Sequence, residues 1–130
     1  DNQNYLAAMV MVGAALERDI ICITEEFYAI LQTRKAEFKQ DVLDQNKIKT
    51  RFDNFLSFLD LHGYKAQLDI ADRERLSSLF PAIVNLIRIT RNEAGHPTGR
   101  DVTHDEAQAN MLLAREAIKF GAALLRVLGS

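Results

Sequence analysis

A single cysteine, Cys22, leaves this chain without any internal disulfide. It lies in the apolar run "IICI", so a buried, inert thiol is expected, and that usage suits a reducing cytoplasm. Prolines are scarce, only Pro81 and Pro97, and no apolar–polar alternation bounded by turns reads as a β-strand. The longest apolar run, "YLAAMVMVGAAL" over residues 5–16, meets Glu17-Arg18-Asp19 after twelve residues. Crossing a bilayer takes roughly 20. No basic segment comes before the run, so it is not expected to be a signal peptide. Also missing are repeats, low-complexity tracts and linkers, together with a phosphate-cradling glycine loop, a nucleophile elbow and a paired-carboxylate arrangement. A net charge of −2 and a pI near 5.9 argue against a protein that coats nucleic acid nonspecifically, because phosphate neutralisation drives that binding.

What remains is a chain of 130 residues, 48% apolar and 26% charged, enough for one domain with a core that needs no metal or disulfide staple. It begins at Asp1 rather than Met, and the expectation is a single helical domain, 1–130, cut from a longer protein. The charge is uneven. Residues 34–51 carry six basic side chains against three acidic ones, whereas residues 1–26 hold one basic and five acidic. A basic face of that kind reads as a solvated helix surface or as a contact for a polyanion.

Hydropathy predicts a first helix from about Asn4 to Leu31, apolar nearly all round through Leu16 and narrowing to Ile20, Ile23, Phe27 and Leu31. A short polar piece follows over 35–44, anchored by Phe38 and Val42. Ile48, Phe52, Phe55, Leu56 and Leu59 share one helical face, and His62-Gly63 closes that helix with the glycine in the left-handed position. His62 is expected to be a solvated cap residue. The next helix starts near Asp72, buries Leu76, Leu79, Phe80, Ile83, Val84 and Ile87, and should kink or restart at Pro81. Gly95 and Pro97 stop it. "THDE" then forms a capping box, Thr103 with Glu106, and opens a last helix to about Leu128. Its expected inward residues are Met111, Leu112, Ala114, Ile118, Leu125 and Leu128. The sum is an all-α, antiparallel four-helix bundle with an additional short helix.

The junction "RNEAGH", Arg91 to His96, holds the chemistry-bearing side chains. Taken alone it admits two readings. Arg91 and His96 are cations at a helix C-terminus, where they complement the dipole. They are also the pair that RNA cleavage without a metal requires. Histidine titrates near neutrality and can take the 2′-hydroxyl proton, while arginine stays charged and matches two phosphate oxygens. Asn92 would orient a phosphate or a ribose hydroxyl. On a continuous helix Arg91 and His96 would stand about 140° apart, so the glycine bend is needed to bring the imidazole back. A metal site made from His96, Asp101, His104 and Asp105 follows no standard ligand spacing, and no metal or other cofactor is expected.

"RNEAGH" resembles the R-x4–6-H signature of HEPN domains, in which a polar residue, often Asn, follows the Arg as Asn92 does here. "HP…T-x-x-E-A" leading into the last helix, and "VGAALERDI" running into Glu17, are similar to HEPN sequences too. The resemblance spans roughly residues 5–128, with 33–66 contributing least. It implies a helical bundle that dimerises, bringing two motifs into one cleft. It also implies a metal-independent endoribonuclease in a toxin–antitoxin, phage-defence or RNA-processing role that leaves a 2′,3′-cyclic phosphate. Arg91 and His96 would be the catalytic pair and Asn92 the supporting residue, with RNA as substrate and an antitoxin or nucleotidyltransferase as a possible partner. The family also contains inactive members, so the alternative is a non-catalytic interaction or regulatory module of a larger protein.

Overall fold

The computed structural model describes residues 2–95 and 102–129. They form helices α1 (Asn2–Ile30), α2 (Lys35–Phe38), α3 (Ile48–Leu61), α4 (Ile70–Gly95) and α5 (His104–Leu128). A π turn, Lys39–Leu43, continues α2, and a 3-10 turn, Lys65–Gln67, leads into α4. No strand occurs among the described residues, and none of their helices is long and apolar enough to cross a membrane.

The expected short piece, anchored by Phe38 and Val42, is α2 with its π turn, and both anchors are wholly buried. Each leg reverses the one before it. Lys35 lies over the Tyr28 ring at one end of α2, and the Leu43 carbonyl meets Arg51 beside Ile21 and Thr24 at the other, so this leg runs back along α1. Helix α3 then turns again, Arg51 lying by Thr24 and Phe58 by Phe27. Helix α4 descends, placing Thr90 against Gly13, and α5 ascends, with His104 by Tyr5 and Gly121 by Ile23. With five legs, α1 and α5 end side by side and parallel, while α4 opposes both.

All seven phenylalanines are buried. Phe27 is their hub, with the rings of Phe38, Phe55 and Tyr64 at 5.2, 5.5 and 5.2 Å. These offset and edge-on pairs add about 0.5–1.5 kcal/mol each beyond area burial. The other half of the molecule packs through small residues. A Cβ on Gly13 would lie 1.9 Å from the Thr90 hydroxyl oxygen, and one on Gly121 would lie 2.5 Å from Ile23 Cδ1.

Small residues also explain where the expected α5 face goes astray. Ala114 and Leu128 are buried and Leu125 is half-buried, but Met111, Leu112 and Ile118 are exposed. The buried stripe is instead Ala107, Ala114, Ala117, Gly121 and Leu124, with Phe120 beside it. Alanine and glycine let the α5 backbone approach α1 closely, which outweighs hiding the larger side chains. Cys22, expected inside, is half-buried because it lies on the outer flank of α1.

Of the kink or fresh start expected at Pro81, the fresh start is absent, because helix α4 runs on through it. Ser77, whose carbonyl loses its helical partner there, is exposed, so solvent can satisfy it. His62 is not a solvated cap. Its side chain is 11% exposed, lies 3.3 Å from Glu37 and packs on Phe58. Gly63 does take the left-handed position, at φ 80°. The Thr103 hydroxyl accepts from the Glu106 amide at 3.1 Å, as a capping residue should.

Candidate functional site

Arg91 and Asn92 fall in the last turns of α4, and both are exposed. His96, with Pro97, Arg100 and Asp101, lies outside the described residues, and so does the expected return of its imidazole toward Arg91.

The guanidinium of Arg91 is held from α1. Its Nη2 donates to Oε1 of Glu17, a residue 74 positions earlier in the chain. The Glu17 side chain is 22% exposed against 58% for Arg91, so the carboxylate sits at the wall and the cation leans outward. The neighbouring Thr90 seats against Gly13, one turn before Glu17 on α1, and so sets the axial register behind this contact. The Thr90 hydroxyl donates to the Ile87 carbonyl at 2.9 Å and needs no other partner.

Beside Arg91 and Asn92 opens a groove of about 750 Å³ between α3 and α4. Helix α4 contributes Pro81, Val84, Asn85 and Arg88 at spacings of three and four, so they form one stripe. Helix α3 faces them with Ile48, Phe52 and Leu56, and its first residues bring Lys47 and Lys49 to the rim. Among the described residues, four cations thus surround the opening, and Asp53 is the one carboxylate lining it. Lys49 is paired with Asp53 at 3.0 Å, and Arg88 donates to the neutral Asn85 carbonyl oxygen at 2.9 Å. Helix α3 starts there with no side-chain cap and no acidic residue in its first turn, which keeps the local potential positive.

The basic face expected over 34–51 does not exist as such. Arg51 is buried, donating to the Thr24 hydroxyl at 2.9 Å and the Leu43 carbonyl at 3.0 Å. Burial lowers its pKa, partly opposed by the charge of Glu25. Arg34 pairs with Glu37, Lys39 pairs with Asp44, and Lys35 covers a tyrosine ring. Of that segment, Lys47 and Lys49 reach the groove. The reading along the chain missed their union with Arg88. The available signal was the polar stripe Asn85–Arg88–Asn92, set at helical spacing into the apolar second half of α4.

Other candidates lie elsewhere. His104 packs edge-on against Tyr5 at 5.5 Å and is 3.8 Å from Asp105 in its own turn. Asp19 faces α5 beside Gly121, and its pKa is raised from 3.8 to about 6, chiefly by burial and then by the nearby charge of Glu26.

Comparison of the chain with family models, with curated proteins and with solved structures finds no match.

Proposed function

We propose that this chain is an HEPN-type, metal-independent endoribonuclease working as a homodimer in the cytoplasm, in a defence, toxin or RNA-processing setting. The observation that carries the reading is that Arg91 and Asn92 stand exposed at the mouth of a groove rimmed by Lys47, Lys49 and Arg88. A helix-closing arginine with no other task has no need of such surroundings. Glu17 supports the same reading, because its carboxylate takes one donor of an exposed guanidinium and fixes it in place, and the other N–H groups are left for an anion.

In this reading His96 takes the proton from a ribose 2′-hydroxyl, and the 2′ oxygen forms a bond to phosphorus. The bond from phosphorus to the 5′ oxygen breaks, that oxygen takes up a proton from water, His96 later gives its own back to solvent, and a 2′,3′-cyclic phosphate remains on the other fragment. Arg91 neutralises the non-bridging oxygens, where charge builds in the transition state, and Asn92 orients the phosphate or the ribose. The assignment of His96 and of the dimer comes from the motif's resemblance.

The test is RNA incubated with the protein in EDTA. Cleavage giving cyclic-phosphate ends, reduced at least a hundredfold in His96→Ala and Arg91→Ala with helicity unchanged, is the expected result. Intact RNA with the dimeric wild-type protein overturns the reading. Sedimentation of the wild-type chain at twice the mass of one subunit is expected alongside.

One observation favours a second reading, a non-catalytic interaction module of a larger protein, docking an antitoxin-like or nucleotidyltransferase partner. The Arg91–Glu17 pair is also a tie between α4 and α1. If that is its whole role, Arg91→Ala and Glu17→Ala lower stability equally, and neither alters RNA.

A further inference from the structure

The cations around the α3–α4 groove account for its rim but not for its floor. Leu56 and Val84 line it from the two helices, and Pro81, a residue that weakens the helix carrying it, is exposed there. An apolar recess ringed by positive charge suits a ligand with a flat, weakly polar body and anionic links on either side. Its volume, about 750 Å³, lies within the range of sites that enclose small organic groups. A purely electrostatic track for a phosphate backbone would have no use for an apolar floor.

The rim cations also differ in availability. Arg91 is engaged by Glu17 and Lys49 by Asp53, whereas Lys47 and Arg88 form no ion pair among the described residues. Lys47 stands at the start of α3, and Arg88 faces it from α4, one turn before Arg91.

We propose that this groove is a nucleotide subsite, taking the base of one unstacked ribonucleotide onto Leu56, Val84 and Pro81 while Lys47 and Arg88 hold its flanking phosphates. The proposal deepens the ribonuclease reading and rests on it for the identity of the ligand. Arg91 then receives the next phosphate along the strand, so the subsite selects the base one nucleotide removed from the cleaved bond. Its two parts respond differently to salt. Each phosphate contact contributes about −0.7 to the slope of log affinity against log salt for a single strand, whereas an apolar contact contributes none.

The experiment measures binding of a fluorescein-labelled RNA pentamer to the full chain carrying His96→Ala, from 50 to 200 mM salt. Lys47→Gln and Arg88→Gln should each weaken binding about fivefold and flatten the salt slope by roughly 0.7. Pro81→Trp should weaken it about tenfold by filling the recess, with the slope unchanged. That substitution restores a backbone donor to α4, so the fold should survive, and thermal melting confirms it. Pentamer binding that ignores all three substitutions, or no binding at all, overturns the subsite. So does a Pro81→Trp protein that melts normally and binds as tightly as its parent. Cleavage by the wild-type chain is scored separately. Cleavage with pentamer binding insensitive to the substitutions removes the subsite and leaves the nuclease standing. Groove-dependent binding without cleavage does the reverse.

Discussion

Asp19 and Arg51 show what burial does to single charged side chains. The folded-state pKa of Asp19, about 6, lies above its ordinary 3.8, so the folded protein holds a proton that the unfolded chain releases. The stabilisation from that group is complete below about pH 4 and is lost as the pH rises through about 6. Asp19→Asn should therefore be more stable than the parent at pH 7, by about 1–2 kcal/mol once partial exposure is allowed for. Near pH 4 the two should converge. Urea midpoints at both pH values check this, and equal midpoints at pH 7 count against it. Arg51 joins three segments through Thr24, Leu43 and Ile21. Arg51→Met should lower stability by about 2–4 kcal/mol, since the Leu43 carbonyl would be left without its donor. A change below about 0.5 kcal/mol in the same denaturation measurement would mean the network is expendable. Neither effect was visible along the chain. Arg51 read as one more cation in a basic stretch, because what buries it comes from residues 27 and 30 positions away.

At the scale of elements, local rules were legible. The expected helix ends, Asn4 to Leu31 and Thr103 to Leu128, fall within two residues of those observed. Capping and glycine closure act within a turn, so neighbouring residues suffice to reveal them. The inner face of α5 was not legible, because scoring by hydrophobicity favours Met111, Leu112 and Ile118 over alanine. Close approach rewards the reverse choice. The same principle sets a test in α1. Gly13→Ala improves helix propensity by roughly 1 kcal/mol, yet its methyl group would overlap Thr90. The net effect should be destabilising by about 1–3 kcal/mol, read as a lowered melting temperature. Pairing Gly13→Ala with Thr90→Ala, which removes the hydroxyl oxygen nearest the new methyl group, should recover part of the loss. If Gly13→Ala stabilises the protein, the α1–α4 register described above is wrong.

For the whole molecule, α1 and α4 are shared by two halves, the phenylalanine cluster around Phe27 and the small-residue contacts at Gly13 and Gly121. Neither half has a helix set of its own, so unfolding should be one cooperative event. Far-ultraviolet circular dichroism follows every helix, while tyrosine fluorescence reports on Tyr28 and Tyr64 against the aromatic cluster and on Tyr5 against His104. The two melting curves should coincide, and a separation of more than a few degrees would show independent halves. Much of this architecture follows from the order of residues alone. Helix positions, most apolar stripes and stops are periodic, short-range properties, and so is the presence of Arg91 and Asn92 in the last turns of one helix. The union of Glu17 with Arg91, the burial of Arg51 and the meeting of Lys47 with Arg88 over an apolar recess were decided only in three dimensions. Each depends on how far one helix slides and rotates against another. That is settled by many distant packing contacts acting together, chiefly where glycine and alanine let two backbones close up.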